Sequence, residues 1–144
     1  VKNFERWIYQ RDAPGYETTA AIKIEHPIQM WMVEPGKYYD FVARKGKKMG
    51  FDVDEKVFSE RNQKVAIKVS FYDGVKGSLK LVYKDNEGIQ QASVKSGGKD
   101  TVKTATFFVD AEFNKNAFAH NFDFELHSEE EIPVFFVRVV KLEK

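Results

Sequence analysis

The run VAIKVSFYDGVKGSLKLVYKD at residues 65–85 constrains the fold more than any other part of the chain. Apolar residues alternate with polar or small ones in both of its halves, which are separated by glycine-containing breaks at residues 73–74 and 76–77. Alternation with a period of two is typical of strands that bury one face and expose the other. Two such runs joined by a short break predict a β-hairpin.

Other strand-sized runs occur along the whole chain, separated by turns that contain glycine or proline. They are residues 4–11, 18–24, 28–33, 38–43, 90–94, 101–109, 121–126 and 134–142. The last run is apolar at both alternating positions, which predicts a central strand. Between residues 50 and 63 the periodicity fades, and we expect a helical turn or a loop at residues 54–61. About nine or ten short strands predict an all-β sandwich of two antiparallel sheets, with a jelly roll favoured over an immunoglobulin-like arrangement, whose Cys and Trp markers are missing.

Composition narrows the class of protein. A chain of 144 residues suits one domain, spanning residues 1–144, with a single hydrophobic core. Hydrophobic residues make up 42% of the chain, which excludes disorder, and no apolar run approaches the roughly 18 residues of a membrane span. Cysteine is absent, so disulfides and thiolate metal sites are excluded. The chain starts with Val1 and shows no signal-peptide pattern, so we expect one module of a larger exported protein.

Charge gives little support to a nucleic-acid partner. The 23 basic and 22 acidic residues are dispersed along the chain, whereas a nucleic-acid interface needs a broad basic stripe with interleaved aromatics. One local basic cluster is typical of a solvated loop, with binding of an anionic glycan as the functional alternative. It consists of Arg44, Lys45, Lys47 and Lys48.

Four segments of the second half resemble a known family. They are VSFYDG at residues 69–74, LKLVYKD at 79–85, ATFFVDAEF at 105–113 and DFEL at 123–126. Over residues 65–144 the chain resembles the carbohydrate-binding-module-like β-sandwich associated with bacterial glycoside hydrolases, especially those of Bacteroidetes. Val102 stands where that family usually has a tryptophan, and Glu125 where it usually has an arginine. The resemblance implies a secreted sandwich in a polysaccharide-degrading system and assigns no ligand residue.

The acidic and aromatic residues of these segments fit a scaffold role. Asp73, Asp85 and Asp110 follow strands, where a carboxylate can accept hydrogen bonds from the backbone N–H groups of a turn. We expect the side chains of the later strands to fill the core. They are Ala105, Phe107, Val109, Phe113, Phe122 and Phe124.

Candidate ligand contacts lie in the N-terminal third. Alternation along residues 4–11 places Trp7, Tyr9 and Arg11 on one face, and Gln29 shares a face with Trp31. Flat aromatic rings stack on the apolar C–H face of a pyranose, while charged and amide side chains bind its hydroxyls. The combination predicts a sugar-binding surface, and a rim tryptophan of an ordinary sandwich is the alternative.

Metal and catalytic signatures are sparse. Asp52 and Asp54 lie two apart, so on an extended chain their carboxylates are roughly 7 Å apart, near the spacing of an inverting glycosidase pair. They could equally be calcium ligands or solvated strand-end residues. His26, His120 and His127 have no metal-ligand spacing, and we expect surface or hydrogen-bonded side chains. The motifs of serine hydrolases, P-loop enzymes, zinc proteases and dinucleotide-binding enzymes are absent.

The sequence therefore predicts a non-catalytic module that binds a poly- or oligosaccharide, with a tethered catalytic domain as a further partner and calcium as the one cofactor considered. One alternative is a structural or interaction domain of the same fold, which should expose one contiguous apolar patch. The other is a small jelly-roll glycosidase or lyase, which needs a cleft with convergent carboxylates or a Tyr/His/Lys set. Neither nucleic acid nor membrane insertion is expected.

Overall fold

The computed structural model describes residues 8–23, 42–54, 63–113 and 117–142. This part contains ten strands and one short 3-10 turn, η1. No helix in it has the length and apolar composition needed to cross a membrane. The elements are β1 (Ile8–Arg11), β2 (Thr19–Lys23), β3 (Val42–Lys45), β4 (Lys48–Val53), β5 (Gln63–Tyr72), β6 (Gly77–Asp85), β7 (Gly88–Ser96), β8 (Val102–Ala111), η1 (Ala119–Asn121), β9 (Phe124–His127) and β10 (Val134–Lys141).

The strands form two antiparallel five-stranded sheets that pack as a sandwich, which confirms the predicted fold class. Sheet I has the order β1-β4-β9-β6-β7, and sheet II has the order β2-β3-β10-β5-β8. Eight strands nest as antiparallel pairs that alternate between the sheets: β6 with β7, β5 with β8, β4 with β9 and β3 with β10. This nesting is the jelly-roll arrangement. β1 and β2 each extend one sheet at its edge.

The predicted β-hairpin at residues 65–85 is wrong. β5 lies in sheet II and β6 in sheet I, so the two strands do not pair with each other. Each strand buries one apolar face, and the alternation is the same whether the next strand pairs beside it or packs across the core. The tight hairpin of this region joins β6 to β7, where Asp85 pairs with Gly88 across a two-residue turn.

The main core lies between the sheets and draws fully buried side chains from both. The rings of Phe51 and Phe124, on neighbouring strands of sheet I, stack nearly parallel with their centroids 4.9 Å apart. Burying each such side chain stabilises the fold by about 1.5–3 kcal/mol. Most of the predicted core residues belong to this core or pack against it: Ala105, Phe107, Val109, Phe113 and Phe124.

β10 is a central strand of sheet II, as its double-sided apolar pattern predicts. It pairs with β3 on one side and with β5 on the other. Phe135 and Phe136 of β10 are buried and form a second apolar cluster with Ala43. Both faces of the strand are therefore covered, which explains the loss of polar alternation along it.

The start of the segment in which the periodicity fades is a strand. Lys48–Val53 forms β4, in which the core-facing Met49, Phe51 and Val53 alternate with residues of the outer face. The strand expected at residues 121–126 begins later, at Phe124, after η1. Residues 24–41 and 55–62 lie outside the described residues. With them lie the strand predicted at 28–33, most of the one at 38–43, and all but the first residue of the helical turn or loop predicted at 54–61.

Strand-end carboxylates hold turns at two of the three predicted positions. Asp73 accepts a hydrogen bond from the Gly97 N–H at 2.8 Å, which ties the end of β5 to the connection between β7 and β8. Asp85 accepts one from the Glu87 N–H at 2.8 Å, within the β6–β7 turn. Asp110 lies inside β8 with its side chain exposed, so its predicted turn role is wrong.

Candidate functional site

Two of the five predicted ligand residues lie in the described part, at one edge of sheet I. Tyr9 and Arg11 alternate on β1 and face away from the core. Tyr9 is 54% exposed. Trp7, Gln29 and Trp31 lie outside the described residues, so their assignment remains a prediction.

Arg11 is held in place by three neighbours. Its Nε donates to Asp52 Oδ2 at 2.5 Å, and its guanidinium also donates to the His120 carbonyl. The guanidinium carbon lies 4.3 Å from the centre of the Phe122 ring, a cation–π contact. Because the side chain is still 42% exposed, Arg11 is a fixed cation that borders the surface beside Tyr9.

Asp52, one of the two predicted calcium candidates, is therefore bound to Arg11. Within the described ranges, no three or more His, Cys, Asp or Glu side chains come together in a way that could hold a metal ion. The alternative role of Asp52 and Asp54 as calcium ligands remains a prediction.

Three aromatic side chains cover part of the outer face of sheet I, and we call Tyr16, His120 and Phe122 the aromatic cap. The Tyr16 ring lies 4.9 Å from Phe122 and 5.5 Å from His120, between centroids. Phe122 lies over Gly50 of β4, where an added Cβ would be 2.2 Å from the Phe122 ring. His120 Nε2 hydrogen-bonds to the Pro14 carbonyl at 2.8 Å, which joins the two loops that supply the cap. Phe122 is buried as predicted, but on the outer side of the sheet and not in the core.

The cap covers a carboxylate on the outward face of β9. Glu125 is 4% exposed, and both of its oxygens are bound. The Tyr16 hydroxyl donates to Oε2 at 2.5 Å, and His127 Nε2 lies 2.7 Å from Oε1. Carboxylate oxygens accept hydrogen bonds, so the His127 tautomer that fits this contact has its N–H on Nε2 and leaves Nδ1 as an acceptor. Burial raises the pKa of the Tyr16 hydroxyl, and the hydrogen bond to Glu125 and its charge raise it further.

A row of basic side chains crosses sheet I beside the cap. The strand registers place Lys48 of β4, His127 of β9 and Lys80 of β6 directly opposite one another, and Ser93 of β7 is next in line. Such residues share one face of the sheet, with Cβ atoms about 4.5–5.5 Å apart on neighbouring strands. We call Lys48, His127 and Lys80 the basic row. Lys48 Nζ lies 5.8 Å from the centre of the Tyr16 ring, so the row begins next to the aromatic cap.

The basic cluster predicted from the sequence divides between the two sheets. Arg44 and Lys45 lie on β3 of sheet II, Lys48 lies on β4 of sheet I, and Lys47 is in the turn between them. Arg44 is engaged locally, since its guanidinium donates to Thr18 Oγ1 at 2.8 Å. The interpretation of the cluster as one loop is therefore wrong, and from it Lys48 joins the basic row.

The histidines of the described part are hydrogen-bonded, as predicted. His120 is bound to the Pro14 carbonyl and His127 to Glu125. His26 lies outside the described residues.

Sequence reasoning missed the arrangement around Glu125. A signal for part of it is present in FELH at residues 124–127, where Glu125 and His127 alternate with two apolar residues and therefore share the outward face of a strand. No local pattern connects this pair with Tyr16, Lys48 or Lys80, which reach it through the folding of distant segments.

Comparisons of the chain with protein-family models, with curated proteins and with solved structures found no match. The two-sheet antiparallel sandwich is established by the strand pairing itself. The family resemblance of residues 65–144 remains a prediction.

Proposed function

We propose that this protein is a non-catalytic carbohydrate-binding module that binds a poly- or oligosaccharide on the outer face of sheet I. The observation that carries the proposal is the set of side chains on that one face: an exposed tyrosine, an ion-paired arginine and the basic row beside a covered carboxylate. In this proposal the module belongs to an exported glycan-degrading system and acts beside a tethered catalytic domain, as the sequence resemblance implies.

The face offers both kinds of contact that a sugar needs. The exposed Tyr9 ring can stack on the apolar side of a pyranose, the Arg11 guanidinium can donate to hydroxyls, and His127 Nδ1 can accept from one. Asp52 and Glu125 fix these two side chains before any ligand arrives, which lowers the entropy lost on binding. Because neighbouring strands are 4.7–4.9 Å apart, the face extends about 19 Å from β1 to β7, enough for a short oligosaccharide.

The carboxylates of this face support binding over hydrolysis. A glycosidase needs two carboxyl groups that flank the scissile bond, one to protonate the leaving oxygen and one to act as base or nucleophile. Asp52 is ion-paired with Arg11, and both oxygens of Glu125 are hydrogen-bonded within the protein. Each carboxylate thus orients its neighbours, and neither is free to play these roles.

A polysaccharide and oligosaccharide array, screened with and without calcium while tryptophan fluorescence is recorded, tests the proposal. We expect a saturable hit that Tyr9→Ala weakens by roughly three- to tenfold through loss of ring contact. Phe108→Ala is the matched control, because Phe108 is 72% exposed on β8 of sheet II, and it should leave the affinity unchanged. The proposal would be contradicted if no glycan on the array is bound, or if Tyr9→Ala and Phe108→Ala lose the same amount of affinity.

The predicted tryptophan contacts need their own variant. Trp7→Ala/Trp31→Ala should lower the affinity for the same glycan in a folded protein, because both rings are predicted to stack on sugar. Unchanged affinity would remove Trp7 and Trp31 from the site and leave Tyr9 as its aromatic contact.

A structural or interaction domain is the second candidate, favoured by an apolar patch on sheet II. The registers place Phe108, Ala66 and Val140 opposite one another on neighbouring strands, and Leu142 after β10 is 38% exposed. Exposed apolar patches mark interaction surfaces. In analytical ultracentrifugation, self-association of the wild type that rises with concentration and is lost in Phe108→Ala would favour this candidate. If the wild type and the variant are both monomeric, the result argues against it.

A further inference from the structure

The basic row is an arrangement that folding alone does not favour. Lys48 and Lys80 flank His127 on the two strands next to β9. Two strand spacings separate β4 from β6, so the backbones of the two lysines are about 9–10 Å apart. Like charges repel, so the two ammonium groups, which lie on either side of β9 on one face, weaken the sheet unless something else binds them.

The two lysines of the row form no ion pair with any other described residue. Ion pairs within the described ranges engage other cations, among them Arg11 with Asp52, Arg44 with Asp12, Lys84 with Glu112 and Lys103 with Asp73. Glu125 is the acidic side chain beside the row, but its two oxygens are taken by Tyr16 and His127. The ammonium groups of Lys48 and Lys80 therefore have no carboxylate of their own within the described ranges.

Neutral polar groups and an aromatic ring border the row. Ser93 and Gln91 are exposed on β7 and continue the outer face of sheet I beyond Lys80. At the other end, Tyr16 of the aromatic cap lies next to Lys48. A ligand on the row would thus meet cations in the middle and hydroxyl and amide groups on one side, with the Tyr16 ring supporting Lys48 at the other end.

We propose that the basic row binds the carboxylate or sulfate groups of an acidic polysaccharide. The inference rests on the proposed function and names its ligand class. Lys48 and Lys80 neutralise the acidic groups, His127 Nδ1 between them accepts from a sugar hydroxyl, and Ser93 and Gln91 bind further hydroxyls. A nucleic acid fits less well, because the net charge is +1 and the row occupies a single line of one sheet.

Polymers that differ only in charge separate the acidic group from the sugar backbone. Methyl-esterified and de-esterified polygalacturonate differ in free carboxylates, and dextran and dextran sulfate differ in sulfates. In affinity electrophoresis, the wild-type protein should bind at least one acidic polymer more tightly than its neutral counterpart. The affinity should fall as salt rises, because the contacts are between exposed charges. Tighter binding of de-esterified polygalacturonate would identify carboxylate as the group that the row binds, and tighter binding of dextran sulfate would identify sulfate.

A double variant with a matched control assigns the effect to the row. Lys48→Ala/Lys80→Ala should lower the affinity for the acidic polymer about tenfold or more. The control Lys64→Ala/Lys68→Ala also removes two positive charges, but from the outer side of β5 in sheet II. It should leave the affinity for the acidic polymer unchanged. The row variant should unfold at the wild-type temperature or above it, because repulsion is relieved.

Four results would contradict the proposal, and each overturns a different part of it. Equal losses in both double variants would reduce the effect to net charge and overturn the site. Equal affinity for acidic and neutral polymers, with a neutral glycan still bound through Tyr9, would overturn the basic row while the proposed function stands. Failure to bind any polysaccharide would overturn both. Tighter binding to single-stranded DNA than to every polysaccharide would overturn the ligand class.

Discussion

Replacing Gly50 by alanine should destabilise the protein through one contact. The new Cβ would lie 2.2 Å from Phe122 Cε2 and 2.3 Å from its Cδ2 and Cζ, whereas non-bonded carbon atoms meet at about 3.5–4.0 Å. Phe122 is fully buried and packs against Tyr16, so its ring has little room to retreat. We expect Gly50→Ala to lower the free energy of unfolding by about 1–3 kcal/mol, the usual range for overpacking.

A double-mutant cycle with Phe122→Ala isolates this contact. Once the ring is removed the added methyl has room, and alanine is favoured over glycine within a strand by about 0.5–1 kcal/mol. Gly50→Ala should therefore stabilise the Phe122→Ala background, and the coupling free energy should be about 1.5–4 kcal/mol. Urea unfolding followed by far-UV circular dichroism measures all four proteins, with an unchanged m-value as the check that the differences report stability.

The background variant has to remain folded for the cycle to be measured. Phe122→Ala alone should cost about 3–5 kcal/mol, and Phe122→Leu is the milder background if that loss is too large. If Gly50→Ala destabilises both backgrounds equally, or leaves the wild-type protein unaffected, then Phe122 does not pack over Gly50 and the description of the aromatic cap is refuted.

Two further substitutions test buried polar groups. The hydrogen bond from the Gly97 N–H holds the pKa of Asp73 below its usual range despite burial. The ionised Asp73 carboxylate therefore stabilises the fold fully above about pH 4, the pKa of an aspartate in the unfolded chain. This stabilisation is lost as the pH falls through the lower pKa of Asp73 in the folded protein. Asp73→Asn should have a lower free energy of unfolding than the wild type at pH 7. Urea unfolding at a series of pH values should show this difference shrinking as the pH falls, and a difference that does not change with pH would refute the reasoning. Tyr16→Phe keeps the ring but removes a donor from the buried Glu125, so it should lower the free energy of unfolding by about 1–3 kcal/mol, and unchanged urea stability would contradict the bond.

Alternation predicted the strands because burial of one face is a local property of each strand. Residues 65–72 and 134–142 were predicted as strands, and β5 and β10 occupy them, with β10 at the centre of sheet II. Alternation could not decide which sheet a strand joins, because the inward residues are the same in either case. The break after β5 illustrates this: Asp73 binds the Gly97 N–H at the far end of β7 and does not close a hairpin with β6.

The candidate site was predictable only at its edge. Tyr9 and Arg11 share the outer face of β1 because strand alternation fixes it. The centre depends on contacts between distant segments: Tyr16 meets Glu125, and Phe122 covers Gly50. A glycine buried on an outward face has no sequence signature of its own, since its burial is produced by a ring from another loop.

Mapping where a glycan touches the protein tests the role of sheet I most directly. Backbone-amide NMR spectra of the isotope-labelled protein, recorded during titration with the glycan that the array selects, report the contacted residues. We predict that the largest shifts fall on β4, β9 and β6, around Lys48, His127 and Lys80, and extend to Tyr9 on β1. Shifts centred on Phe108 and the outer face of sheet II would contradict the assignment of the site, and so would spectra that no glycan changes.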